Sequence, residues 1–212
     1  MAIRNILKGD DPALLKKSRA VNDFNKRLHT LLDDMRETML EANGLGLAAP
    51  QVGVLRRAVL IVDLDVENED EGDQIIELIN PEIVECSGEQ NGSEGCLSVP
   101  GVYGMVPRPE IVMVKAYNRH GLRFTFTCSD LMARAVCHEI DHLNGILFTT
   151  LTDHFLTEEE LEKMRAERER EAEAEAEREA EREREAEAEA EAEAERESEA
   201  EEAIEMAEET ES

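Results

Sequence analysis

The chain has 212 residues, with 51 acidic against 23 basic side chains and a formal net charge of -28 at pH 7. No stretch approaches the ~18 consecutive apolar residues of a membrane span, and no direct nucleic-acid binding is expected of so acidic a chain. Beyond Thr157 the sequence runs in Glu-Ala repeats with scattered Arg, which supply roughly two thirds of the net charge and no core. The expected organisation is therefore a folded domain over 1–157 and an acidic low-complexity tail over 158–212. A domain of about 150 residues buries roughly 70% of its unfolded surface, enough for a stable globule. The first twenty residues lack the apolar stretch of a signal peptide, so a cytoplasmic protein is expected. Its 4 cysteines are irregularly spaced and do not read as a disulfide framework.

In chain order, Asn22 is placed to cap a helix in which Phe24, Leu28, Leu31, Leu32, Met35 and Met39 recur three or four apart, with Asn43-Gly44 as its stop. Ala58 to Val62 and Ile75 to Ile79 read as short strands, and the acidic stretch from Asp63 to Asp73 as a solvated hairpin connection. Pro81 implies a bend or an edge where the second run ends. Two further runs, Ile111 to Tyr117 and Leu122 to Cys128, flank Arg119-His120-Gly121. In the second, Leu122, Phe124, Phe126 and Cys128 alternate with polar neighbours, so one face of this hairpin is packed. Ser129 stands at an N-cap position before Leu131 to Leu143, a segment apolar on nearly every side until Asn144-Gly145 stops it. Such a helix is central. Strands that do not alternate with crossover helices argue for an α+β fold, with antiparallel sheets packed around this helix.

The central helix carries His138-Glu139-Ile140-Asp141-His142, a polar group that needs partners or a task. Imidazoles four residues apart share one helix face, with β-carbons about 5 to 6 Å apart, and suit a single metal. Glu139 follows the first of them, placed to take a proton from water activated by that metal. A catalytic site of this kind uses three protein ligands and keeps a position for water. In the extended zinc-protease pattern the third ligand lies downstream, where Gly145 fits but Phe148 stands in place of histidine. Upstream, Glu94-Gly95-Cys96-Leu97-Ser98 sets a cysteine among glycines, where backbone can approach closely, so Cys96 is the third candidate. A thiolate with two imidazoles suits Zn2+ or Fe2+ and not Mg2+ or Ca2+. On the residues alone two other readings stay open. Another His-Glu-x-x-His amidase or protease is disfavoured by Phe148, and a metal-stabilised binding domain by a free carboxylate at Glu139.

Gly44-Leu45-Gly46-Leu47-Ala48-Ala49-Pro50-Gln51, the Glu94 to Ser98 segment and the His138 to His142 helix, in that order, resemble the separated motifs of the peptide deformylases. The similarity runs to about Leu151. It implies a metal-dependent hydrolase that removes the N-formyl group from the formylmethionine of newly made polypeptides, releasing formate. It also implies Cys96, His138 and His142 as metal ligands, Glu139 as the acid/base group, and Gln51 with the Leu97 amide as supports of the oxyanion. A carboxamide donates without titrating, and one such donor is typically worth ~3 to 4 kcal/mol. Fe2+ is the implied physiological metal, with Zn2+, Ni2+ or Co2+ as substitutes. The formylmethionine side chain needs an apolar slot, for which Gly44, Gly46, Leu131 and Ala135 are candidates, and the substrate backbone is expected to pair with 44–46 as an added strand.

Of the remaining cysteines, Cys137 reads as a small buried filler, and Cys86 and Cys128 as packing residues. His29, His120 and His154 read as surface groups, Gly104 and Gly121 as turn formers, and Asp141 as an ion-pair partner of Arg108 in preference to a support for a ligand imidazole. In the tail, Ala, Glu and Arg favour helix, but Glu four residues from Glu opposes it by a few tenths of a kcal/mol per pair. A helix is expected from about Thr157 through the Leu161-Met164 turn, docked on the domain, then a charged helix in exchange with disorder. Some deformylases approach the ribosome through a basic C-terminal helix. This acidic tail is repelled by RNA phosphate, so any transient ribosome proximity is not expected to run through it. It reads as a solubilising segment in preference to one that binds a basic protein surface.

Overall fold

A computed structural model of the chain describes residues 2–64 and 75–170, together with 174, 176, 178, 182 and 184. The chain divides into two units, Met1–Leu156 and Thr157–Ser212. The first is built from helix α1 (Lys26–Glu41), strands β1 (Gly46–Ala48), β2 (Ala58–Val62), β3 (Ile75–Ser87), β4 (Gln90–Cys96), β5 (Val99–Arg108), β6 (Ile111–Tyr117) and β7 (Arg123–Ser129), and helix α2 (Asp130–Asn144). One sheet has the order β1-β2-β3-β6-β7, and β4 and β5 form a separate hairpin. Every pairing between these strands is antiparallel, which makes the unit the α+β assembly expected. Among the described residues no helix is long and apolar enough to cross a membrane.

Strand β2 shows why the helices lie where they do. All of Ala58-Val59-Leu60-Ile61 is buried, and side chains alternate between faces along a strand. Val59 and Ile61 join a cluster with Ala133, Val136, Ile140 and Leu143 of α2, whereas Ala58 and Leu60 join Leu28, Leu32, Met35 and Met39 of α1. A strand covered on both faces reads as a continuous apolar run, which is how this one reads.

The first helix starts three residues later than expected. Asn25, not Asn22, is its cap: Asn25 has extended backbone, and its Oδ1 accepts from the amides of Arg27 at 3.0 Å and Leu28 at 3.3 Å. Phe24 therefore lies outside the helix, its ring 5.8 Å from that of Tyr117. Pro81 does not end the second strand. It sits at a bulge in β3, where Asn80 adopts φ 52° and its carboxamide grips both backbone groups of Val21, so pairing with β6 resumes at Glu82. The expected hairpin between β2 and β3 is present, with Val62 opposite Ile75, while most of its acidic connection, 65–74, lies outside the described residues. Leu122 is exposed, but Phe124, Phe126 and Cys128 pack inward as their alternation required. Gly104 is no turn: it lies within β5, where a β-carbon would come within 2.7 Å of the Thr152 side chain. Cys86 is exposed, which corrects its reading as a packing residue, while Cys128 and Cys137 are buried.

In the second unit, 158–170 are helical. The Thr157 amide donates to Glu160 Oε2 at 2.8 Å and the Glu160 amide to Thr157 Oγ at 3.3 Å, a reciprocal cap that fixes where this helix starts. Most of the expected continuation, charged helix and disorder alike, lies outside the described residues.

Candidate metal centre and catalytic site

Helix α2 begins at Ser129, whose backbone is extended as a cap requires, although its hydroxyl bonds Asp130 Oδ2 at 2.6 Å rather than a helix amide. The helix ends at Gly145, in the left-handed conformation at φ 74°. It is packed by Ala133, Val136, Ile140 and Leu143 against the sheet, and this fixes the direction in which His138, Glu139 and His142 point. His138 and His142 lie one turn apart, with ring centroids 4.9 Å apart. Cys96, at the end of β4, meets them from the opposite side: its Sγ is 3.2 Å from His142 Nε2. One ligand atom from each of the three residues lies within 4.8 Å of the other two. The donor set, one sulfur and two ring nitrogens, fits a borderline-soft divalent cation.

The orientation of the imidazoles is built in. Glu94 is buried in β4 and holds His138 Nδ1 at 2.9 Å, which leaves Nε2 for the centre. Burial alone would raise the pKa of Glu94, but hydrogen bonds from His138 and Arg108 hold it down to about 2. Arg108 binds both Glu94 oxygens, at 2.8 and 3.0 Å, and Asp141 Oδ2 at 2.6 Å. Asp141 is thus the ion-pair partner of Arg108. Arg134, one turn before His138, donates to Glu94 Oε1 at 3.0 Å and to the Val106 carbonyl at 2.7 Å, tying the β4–β5 hairpin to α2. Burial lowers the pKa of His142 to about 3, which favours the neutral ring that a metal ligand requires. Its Nδ1 is buried without a hydrogen-bond partner.

Glu139 lies against β1 and lines the same cavity as His138. Its carboxyl is buried against the backbone of Gly46, and desolvation pushes its pKa up to about 7. Oε2 has no hydrogen-bond partner, which leaves it free for a proton or a water. Gln51 lies on the short 3-10 turn Ala49–Val52 that follows β1. Its Oε1 accepts from the Ala48 amide at 2.8 Å, and its Nε2 therefore faces Ser98 Oγ at 3.3 Å and Cys96 Sγ at 3.6 Å. A carboxamide fixed at its oxygen end presents a donor to the centre without reorganisation.

Gly44, Gly46, Gln51, Cys96, Leu97, Leu131, Ala135, His138 and Glu139 all line one cavity of about 610 Å³. A methyl group at Gly44 would lie 2.8 Å from Leu97 Cδ1, so both glycines keep space that a side chain would fill. Phe148, the residue that excludes a downstream ligand, is buried beside His138 with ring centroids 6.0 Å apart. Sequence reasoning passed over Glu94, Arg134 and Lys8, which also line the cavity. Arg134 left a readable signal, a charged residue in an otherwise apolar helix turn directly preceding His138. Glu94 stands within its motif, but only the fold reveals its partners.

A family model described as polypeptide deformylase matches residues 3–157. The chain is 54% identical over 166 residues to the peptide deformylase of Caldicellulosiruptor bescii, an alignment covering 78% of this chain and 95% of that protein. Among solved structures it is similar to a peptide deformylase from Legionella pneumophila, with 41% identity, a TM-score of 0.66 and coverage of 80% of this chain and 99% of the other. It is also similar to a class I type b peptide deformylase from Acinetobacter baumannii with Met-Ala-Ser bound, with 36% identity, a TM-score of 0.64 and coverage of 71% and 98%.

Proposed function

The chain belongs to the polypeptide deformylase family, and on that premise we propose how its own residues divide the work of removing the N-formyl group from the formylmethionine of new polypeptides. The enzyme is metal-dependent, and Cys96 Sγ, His138 Nε2 and His142 Nε2 are the atoms that would hold the cation. Fe2+ is the proposed physiological ion, with Zn2+ or Ni2+ able to replace it. A divalent cation held there supplies a Lewis acid that brings the ionisation of water toward pH 7. Glu139 takes the proton from the attacking water and delivers it to the departing amine nitrogen, a task matched by a carboxyl whose pKa is raised to about 7. Negative charge developing on the formyl oxygen is met by Gln51 Nε2 and the Leu97 amide. Gly44, Gly46, Leu131 and Ala135 form the slot for the formylmethionine, with the outer edge of β1 open to pairing by the substrate backbone. The relative from A. baumannii has the tripeptide Met-Ala-Ser bound, and a product of that form fits this reading. The domain over 1–157 is the catalytic unit, its place of action the cytoplasm, and the tail over 158–212 a solubilising segment.

The convergence of one thiol and two imidazoles within 4.8 Å supports this reading most directly. Its test is formate release from formyl-Met-Ala-Ser with metal content measured in parallel. Glu139→Ala is expected to keep its metal and lose at least about 100-fold in kcat, and Cys96→Ala to lose the metal as well. No formate from metal-replete wild type overturns the reading.

A further inference from the structure

The charged side chains lining the cavity fall into two groups. Glu94, Arg134, His138 and Glu139 are buried, whereas Lys8 is exposed. Lys8 belongs to the N-terminal segment, and two bonds bring that segment to the reacting end. The Leu7 amide donates to the Gln51 carbonyl at 2.8 Å, and Lys8 Nζ reaches the Leu97 carbonyl at 3.4 Å. The ammonium thus stands beside Leu97, one of the two residues assigned to the oxyanion, at the exposed rim of the cavity; on the deformylase reading, a polypeptide leaves across that rim once its first residue has entered. Its hydrogen bond to Leu97 is long and made to a neutral carbonyl, and a lysine stem is flexible, so the ammonium can turn to a better acceptor.

We propose that Lys8 is a specificity-determining residue: it favours formylated chains with a carboxylate in the first two positions after formylmethionine. This rests on the deformylase reading of the site and adds to it a substrate preference set at the cavity rim. The effect is local, because the protein's strong net negative charge opposes acidic substrates at long range. An exposed pair of this kind is worth a factor of about 2 to 5.

The test compares kcat/KM for peptide amides that differ only in charge: formyl-Met-Asp-Ser against formyl-Met-Asn-Ser, and formyl-Met-Ala-Glu against formyl-Met-Ala-Gln. In at least one pair the acid-to-amide ratio is expected to fall about 2- to 5-fold in Lys8→Gln and further in Lys8→Glu. It should stay at the wild-type value in Arg123→Glu, which makes the same charge change on β7, outside the cavity lining. In wild type the ratio should also move toward that of Lys8→Gln at about 1 M salt, where the screening length is ~3 Å. Equal ratios in wild type, Lys8→Gln and Lys8→Glu overturn the proposal. So does a loss on formyl-Met-Ala-Ser amide that leaves the ratios unmoved, since Lys8 would then only prop Leu97. Absence of formate from the neutral peptides with wild type would instead sink the deformylase reading itself.

Discussion

A β-carbon at Gly46 would lie 2.7 Å from Oε1 and 2.8 Å from Cγ of Glu139, so this glycine keeps the space that the carboxyl proposed as the acid/base group occupies. Gly46→Ala is expected to leave the chain folded by circular dichroism and to lower kcat by up to about 100-fold, since a displacement near 1 Å suffices for that. Glu139 also has a signature in stability. Burial raises its folded-state pKa to about 7 from the ordinary 4.5. The native state therefore holds this proton more tightly than the unfolded chain. The contribution is fully favourable below about pH 4.5, declines through the interval up to about 7 and is lost above it. In metal-free protein, Glu139→Gln should raise Tm relative to wild type at pH 8 and lose that advantage at pH 4; an equal shift at both would contradict the assigned burial. The convergence of His138 and His142 was legible in their spacing on one helix, and that of Cys96 in the glycine-flanked motif around it. The role of Glu94 was not, because its partners Arg108, Arg134 and His138 reach it only through the fold.

At the scale of elements, α1 and β7 could be read from periodicity, and β2, β6 and α2 from apolar runs, whereas β4 could not. Gln90-Asn91-Gly92-Ser93-Glu94-Gly95-Cys96 has neither alternation nor β-branched residues. It pairs as a strand because Arg134 binds the Gly92 carbonyl at 3.1 Å and holds the hairpin from below. A β-carbon at Gly92 would lie 3.0 Å from that guanidinium, so small residues are what the contact requires. The hairpin thus depends on a buried charge cluster. Arg108→Leu, which removes both guanidinium bonds of Glu94 and the one to Asp141, leaving Glu94 only Arg134 and His138, is expected to cost about 3 to 5 kcal/mol in urea unfolding. Glu94→Gln should weaken metal affinity about 10- to 100-fold in a chelator competition while the far-ultraviolet spectrum stays unchanged. The shift of the first helix cap from Asn22 to Asn25 marks the usual limit of such reading, since three asparagine and aspartate positions compete there and only the amides of Arg27 and Leu28 decide among them.

For the molecule as a whole, composition separated a core-forming domain from an acidic segment. The division at Leu156 and Thr157 falls beside the place where the sequence changes character. The family match ends at residue 157 as well. Removal of 158–212 is accordingly expected to leave kcat/KM for formyl-Met-Ala-Ser within about twofold and to lower solubility, measured by light scattering near the isoelectric point. All of the catalytic account depends on a sulfur from β4 and two nitrogens from α2 sharing one cation. X-ray absorption at the edge of the bound metal measures this directly in the purified, active protein. One sulfur at about 2.3 Å with two nitrogens at about 2.0 to 2.1 Å is the expected first shell for zinc-loaded enzyme. A shell with no sulfur, in protein that still releases formate, would contradict it.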